Sequence, residues 1–575
     1  ASGSPNLFDR SLSDLKETDK DPSSRDTVLP LCAASITFAI GVTVALILHV
    51  FLVIPQVFVE GVVVSDHVRC TSLGQTVLND GGSSVDAAVT AALCLGVVHP
   101  HVSGVGGGGV MLVHDLHKKE TRVIDFQGTA PKALKEVMLQ NVSGLKAGLR
   151  VGVPGLLRGL HHAHSLYGSL LWEDVVTRAA AVAEEGFNVS FSLAEAISKV
   201  QGEHLSQRFR DTFLPGGRPL LPGSFLRMSS LAAVLRGGLS NFYDGNFSLE
   251  MEDEVQTNGG VLSRDDISNY SVEVGQPLEG LYNVPPPSSA GAALISALKL
   301  LEGLELNGNN DTENQTHHWI AEAVKGALAK ARGLGDASLN SSVTELASSG
   351  GQFLAYLSTR APLPTNRADG WTSSSHGARW THGVNCKVMV RGCYLCDGCG
   401  TCCSAHTDIP LSFILCLCDL SSLSTPFGSR LMTVSGVILN GLILDFYWPD
   451  KTPGRRSSNQ KNPVQPGARP QTSLMPTIVV PARHKCGLYT ALSSSGGRRS
   501  LSVVTQVLIR ALSLNKERNE SLSLGRLHSN RQPSRRLDYP EFPEESVQFE
   551  KGRVKMNAVF QGIQRDNDII TPITP

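Results

Sequence analysis

The sequence is short of charge. Of its 575 residues only 18% are Asp, Glu, Lys or Arg, against roughly a quarter in an ordinary soluble domain. Neither sign is in excess: 51 basic residues face 52 acidic ones, for a net charge of −1. Nothing in that balance points to a nucleic-acid partner or to an acidic substrate. Hydrophobic residues reach 41%, so a disordered chain or a coiled coil does not fit either. A disulfide framework spread over the fold is also missing. Eight of the twelve cysteines crowd between Cys386 and Cys418, leaving only Cys32, Cys70, Cys94 and Cys486 elsewhere. The length allows one large core or a few ordinary ones.

Glycine, by contrast, is plentiful at 56 residues, and the run Gly106-Gly107-Gly108-Gly109 marks a backbone that must pass close to a ligand or a packed strand. The other conspicuous stretch lies between Asp26 and Glu60, which holds no Asp, Glu, Lys or Arg, with Leu31 to Ile54 almost wholly apolar. That is long enough to span a bilayer as a helix. Arg10, Lys16, Lys20 and Arg25 precede it, while the first residues after it carry only Arg69. The positive-inside rule then puts residues 1–27 in the cytosol as a tail, with 28–58 the anchor. Asn-x-Ser/Thr glycosylation triplets begin at Asn141, Asn188, Asn246, Asn269, Asn310, Asn314, Asn340 and Asn519, all on the far side. The expectation is a single-pass type II membrane protein with an extracellular or lumenal ectodomain.

The ectodomain reads as mixed α/β. Asp80-Gly81-Gly82 opens a helix over Ser83 to Val98, and Val110 to Val113 and Thr121 to Phe126 read as strands. Leu170 to Glu185, Ala292 to Glu302 and Trp319 to Arg332 are helix candidates, whereas residues 451–470, including Arg469, read as a polar basic surface loop.

Several runs stand in a recognisable order: Gly81-Gly82-Ser83-Ser84-Val85-Asp86-Ala87-Ala88, Ser103 to Gly109, Gly152-Val153-Pro154-Gly155, Pro426-Phe427-Gly428-Ser429 and Ser435-Gly436-Val437-Ile438-Leu439-Asn440. This ordered set resembles the γ-glutamyltransferase family. The resemblance implies an N-terminal nucleophile hydrolase, a four-layer αββα sandwich made as one chain that cuts itself before its nucleophile. Residues 59–373 then become the large-subunit region and 374–575 the small-subunit region. The implied substrates are glutathione and other γ-glutamyl amides, with water, amino acids or dipeptides as acceptors, and no metal or organic cofactor.

The same resemblance carries residues to roles. Ser374, in Ser374-Ser375-His376, falls where the family has a nucleophilic threonine, with Thr372 an alternative in a shifted alignment. Gly496 and Gly497 match paired glycines whose N–H groups form the oxyanion hole. Asp445 matches the acid that holds the substrate amine, and Thr472 and Ser473 match a hydroxyl pair at the glutamyl carboxylate. Three positions depart. Gln127 stands where an arginine grips the α-carboxylate, Leu442 where there is an acid, and Ser424 where there is an asparagine.

Residues 377–419 do not resemble the family, which has a strand pair there. Cys393 to Cys402 repeats Cys-x-x-Cys, which leaves open a metal site, a disulfide-bearing insertion, or an exon translated in place of the strands. Two functions follow: a membrane-anchored glutathione hydrolase, or a catalytically silent family member acting as a membrane-bound interaction protein.

Overall fold

The structure is a computed structural model. It describes residues 36–44, 61–115, 118–139, 145–203, 205–278, 282–287, 289–302, 319–324, 326–327, 383–390, 414–421, 425–446, 464–480, 489–495, 499–512, 526–530, 546–550, 559–566 and 569–573. The chain divides into two units, Ala1–Gln56 and Val57–Pro575. In the first, residues 36–44 form a helix (α1) with exposed Ile36, Phe38 and Ile40. Among the described residues no helix is long and apolar enough to cross a membrane.

The second unit is built on two antiparallel sheets. The first begins with β1 (Gly61–Ser65), β2 (Gly108–Asp115) and β3 (Glu120–Asp125). Between β1 and β2 come α2 (Val68–Asn79) and α3 (Ser84–Val98). A long helical excursion follows: α4 (Leu156–Tyr167), α5 (Trp172–Glu185), α6 (Phe191–Val200), α7 (Gln207–Phe213), α8 (Ser229–Arg236), α9 (Gly238–Tyr243), α10 (Asn246–Thr257) and α11 (Arg264–Ser268). It includes a small ribbon of β4 (Phe187–Asn188) and β5 (Phe225–Leu226). The chain continues through β6 (Glu273–Gly275), β7 (Tyr282–Asn283) and α12 (Gly291–Glu302) to β8 (Gly383–Val390) and β9 (Ile414–Ser421). The last elements are β10 (Thr477–Val479), β11 (Tyr489–Ser495), α13 (Arg499–Leu512), β12 (Arg526–Asn530), β13 (Ser546–Glu550), β14 (Val559–Asp566) and β15 (Ile569–Ile573).

The larger sheet runs β1-β8-β9-β2-β3-β6 and the smaller β15-β14-β11-β10-β7. Period-2 alternation on the strands assigns each side chain to a layer. Leu415 and Leu417 of β9, with Val110, Leu112, Val62 and Val64, face Ile478 and Ala491 of the other sheet. The opposite face of the larger sheet, through Met111, Val113, Cys416 and Cys418, packs on α3, α4 and α5. Val479 and Leu492 pack outward on α12 and α13. The outcome is helix, sheet, sheet, helix, as the resemblance implied.

Five of the anticipated elements are present with small shifts: a helix at Ser84–Val98, strands at Gly108–Asp115 and Glu120–Asp125, and helices at Trp172–Glu185 and Gly291–Glu302. Of the helix expected over Trp319 to Arg332, residues 319–324 and 326–327 are described, as helix, and the rest lie outside the described residues. The Gly-Gly-Ser-Ser-Val-Asp motif is a structural device. The Ser83 hydroxyl accepts from the Asp86 N–H, and the Asp86 carboxylate accepts from the N–H groups of Ser83, Ser169 and Leu170. One wholly buried carboxylate thus caps α3 and ties it to the turn before α5. A disulfide from Cys70 to Cys94, which the sequence did not reveal, joins α2 to α3.

Two expectations need correction. Residues 377–419 stood apart from the family for want of a strand pair, yet their backbone supplies most of one: β8 and β9 pair antiparallel from Gly383↔Ser421 to Met389↔Leu415 in the middle of the larger sheet. Apolar, β-branched runs at each end of the segment suffice for strands, whatever the residues between them. Arg469, placed with a surface loop, is instead almost wholly buried.

Candidate active site

Three separate stretches of chain converge beside the edge of the larger sheet. The first follows β3. Gln127 is buried, its N–H donating to Asp125 Oδ1 at 2.9 Å and its Nε2 to Asp125 Oδ2 at 3.3 Å. Its carbonyl accepts from the buried Tyr270 hydroxyl at 2.8 Å. That hydroxyl is pushed well above its ordinary range, chiefly by burial, and so stays a proton donor at neutral pH.

The second stretch is the turn Leu442–Asp445, and a single amide holds its start. Asn440 Oδ1 accepts from the N–H groups of Gly152 at 2.9 Å and Leu442 at 3.1 Å, while Nδ2 donates to the carbonyls of Gly106 at 2.7 Å and Gly152 at 2.9 Å. Such a buried, fully engaged amide fixes a backbone position tightly. Asp445 is wholly buried at the end of the turn. The Leu442 side chain lies against Gly128 and Gly152, an apolar group beside Gln127.

The third stretch is 467–473. It is docked on the first by a reciprocal pair of backbone bonds, Ala130 N–H to the Ala468 carbonyl and Gly467 N–H to the Ala130 carbonyl, each 2.9 Å. Arg469 then reaches back: its Nε lies 3.6 Å from Asp125 Oδ1, one terminal nitrogen pairs with Glu273, and the other donates to the Ser271 carbonyl at 3.3 Å. A buried guanidinium is tolerated because carboxylates on two elements compensate it. Thr472 and Ser473 follow directly, both buried. The Thr472 hydroxyl has no hydrogen-bond partner among the described residues. An unmet buried hydroxyl costs about 1–3 kcal/mol, which a bound ligand would recover.

The glycine run makes this convergence possible. A Cβ on Gly106 would collide with the Ile438 carbonyl, and one on Gly109 would lie 2.6 Å from the Asp419 carbonyl. The run therefore threads between the Asn440 segment and β9 with no room for side chains.

Gln127, Asp445, Thr472 and Ser473 thus lie on these three docked stretches. Ser374, Ser424, Gly496 and Gly497 lie outside the described residues. In sequence Gly496 follows directly on β11 and precedes α13. Of the glycosylation triplets, Asn188, Asn246 and Asn269 are exposed; Asn141, Asn310, Asn314, Asn340 and Asn519 lie outside the described residues. Sequence reasoning missed Arg469, Asn440, Tyr270 and the pair Asp419 and Ser493. For Asp419 a signal existed: it is the only acid in the otherwise apolar run from Ile414 to Leu420. Among the described residues no cluster of His, Cys, Asp and Glu could hold a metal ion.

The chain is 43% identical to human "Glutathione hydrolase 7" over 611 aligned positions, spanning all of this chain and 87% of that protein. It is 44% identical to the mouse protein of the same name, over 96% of this chain and 83% of that one. It is 28% identical to the "Glutathione hydrolase proenzyme" of Bacillus subtilis strain 168, over 83% and 82%. Among solved structures, a cephalosporin acylase from Bacillus halodurans superposes with a TM-score of 0.69, covering 91% of this chain and 95% of that one at 20% identity, a likeness of fold alone. The model of the Gamma-glutamyltranspeptidase family matches residues 70–568, and the chain belongs to that family.

Proposed function

We propose that this protein is a membrane-anchored γ-glutamyltransferase that hydrolyses glutathione and related γ-glutamyl amides. The acyl group passes to water, or to an amino acid or dipeptide. The observation that carries this reading is the buried Thr472 hydroxyl, without a hydrogen-bond partner among the described residues, on a stretch docked through Ala130 on the segment that begins with Gln127. Ser374 is the nucleophile, exposed by cleavage of the chain after Ser373, with its own α-amine as general base. It attacks the γ-carbonyl, and Gly496 and Gly497 N–H groups stabilise the oxyanion. Asp445 and Ser424 hold the substrate amine, and Gln127, Thr472 and Ser473 its α-carboxylate. Collapse expels the amine, and water or an acceptor amine then releases the glutamyl group.

Thr472→Val tests the pocket with a γ-glutamyl anilide as donor. Loss of one hydrogen bond to the charged carboxylate predicts a kcat/KM about tenfold lower or more with the fold intact, since such a bond is worth about 1.5–3 kcal/mol. An unchanged kcat/KM removes Thr472 from the pocket. Residues 28–58 anchor the protein and the sequons carry glycans. Retention in membranes after an alkaline carbonate wash, and a mass drop on amidase treatment, test this topology.

The silent alternative also has an observation in its favour. Gln127 is a neutral amide already engaged by Asp125, and the apolar Leu442 sits beside it. Folded protein that binds no γ-glutamyl compound would select that alternative.

A further inference from the structure

The short ribbon of β4 and β5 sets Asn188 directly opposite Phe225. Asn188 opens the triplet Asn188-Val189-Ser190 and is exposed. Phe225 is exposed too, to 61%. From this juxtaposition we propose that the first N-acetylglucosamine of a glycan on Asn188 lies on the Phe225 ring and holds the ribbon closed. The inference rests on the lumenal placement of the chain proposed above.

Directly opposed residues of an antiparallel pair have Cβ atoms about 4.5–5.5 Å apart, so a sugar joined to the Asn188 amide starts within reach of the ring. The ring is held ready for it. A Cβ on Gly186 would lie 2.4 Å from Phe225 Cζ, so the tip of the ring rests on bare backbone. Gly186 also has a φ of +94°, which suits glycine alone. The C–H groups on one face of the sugar meet the electron-rich face of the ring, and apolar area on both leaves water.

The ribbon has little else to hold it. Each strand is two residues long, and an isolated two-stranded pair is marginal in water. Beyond it the Val189 N–H donates to the Ser224 carbonyl and the Gly223 N–H to the Val189 carbonyl, each at 2.8 Å. Phe191, just after β4, and Leu221, just before β5, are also exposed, so apolar surface is left open at this corner. A bulky, solvated glycan is the cover that the sequence itself encodes there. Ser190 has a second task, because its hydroxyl accepts from the Leu193 N–H and caps α6. The sugar is therefore best removed by changing Asn188.

Hydrogen exchange at the Val189 and Gly223 amides of the full glycosylated chain tests the proposal. Asn188→Gln should speed exchange about fivefold, equivalent to about 1 kcal/mol for one stacked ring. Trimming with an endoglycosidase that leaves a single N-acetylglucosamine should change nothing. In a Phe225→Thr background Asn188→Gln should add no further acceleration, whereas Phe225→Trp should keep the full difference. Equal exchange with and without the sugar, or the same acceleration in Phe225→Thr, would overturn the proposal. Glycopeptide mapping separates it from the placement of the chain, since Asn246 and Asn269 lie on helix ends and report the lumenal side independently. Glycans there with Asn188 bare would overturn this proposal alone. No glycan at any of the three would remove the lumenal reading and this proposal with it.

Discussion

The Ser493 hydroxyl donates a hydrogen bond of 2.5 Å to Asp419 Oδ1, joining β11 of one sheet to β9 of the other between two buried faces. Most of the contact between the sheets is aliphatic, with His114 of β2 and Tyr489 of β11 in ring contact as well. A buried carboxylate is stable there only with such partners. Asp419→Ala and Ser493→Ala should each destabilise the protein by about 2 kcal/mol. In chemical denaturation the double variant should lose clearly less than the sum, because the two share one interaction. Additive losses would show that the bond contributes nothing.

Much of the fold was legible because its signals are local. The capping Ser83 and Asp86, the alternating strands and the apolar helices each announce themselves within a dozen residues. What the sequence hid depends on distance along the chain. Arg469 looks like one more basic residue in a polar loop until Asp125 and Glu273 are brought to it. Asn440 reads as the end of a motif, yet its amide clamps Gly106 and Gly152, about three hundred positions away. The cysteine spacing drew attention to metal chemistry and away from the apolar ends of that segment, which form strands.

Buried histidines make stability depend on pH. His99, buried and next to His67, is held down to about 3, and His114, buried but helped by Asp115, to about 4. Both values lie below the ordinary 6.5, so between them and 6.5 the unfolded chain binds more protons and stability rises with pH. Acidifying from pH 7.5 to 5 should cost about 2 kcal/mol per histidine, at 1.4 kcal/mol per pH unit below 6.5. Denaturation midpoints at the two pH values measure this, and His114→Gln should flatten the dependence. Equal stability at both would contradict the assignment.

Gln127→Arg restores a charge that a substrate carboxylate can use. Against a γ-glutamyl anilide it should raise kcat/KM roughly tenfold, equivalent to about 1.4 kcal/mol of transition-state binding. Adding Asp445→Ala should erase the gain. If the arginine is captured by Asp125 instead, kcat/KM stays flat and Gln127 has no part in carboxylate binding.

Maturation bears on Ser374. Denaturing electrophoresis should show two fragments that remain together in native conditions, the smaller beginning at Ser374. Ser374→Ala should abolish the break and Ser374→Thr preserve it. A smaller fragment beginning at Thr372 would move the nucleophile to that residue.

The most direct measurement is the release of glutamate from glutathione by the purified full-length protein, followed by mass spectrometry. The wild type should release glutamate and cysteinylglycine in equal amounts, and Asp445→Ala, equally folded, should release at least tenfold less. Folded, matured wild type that leaves glutathione intact would contradict the account.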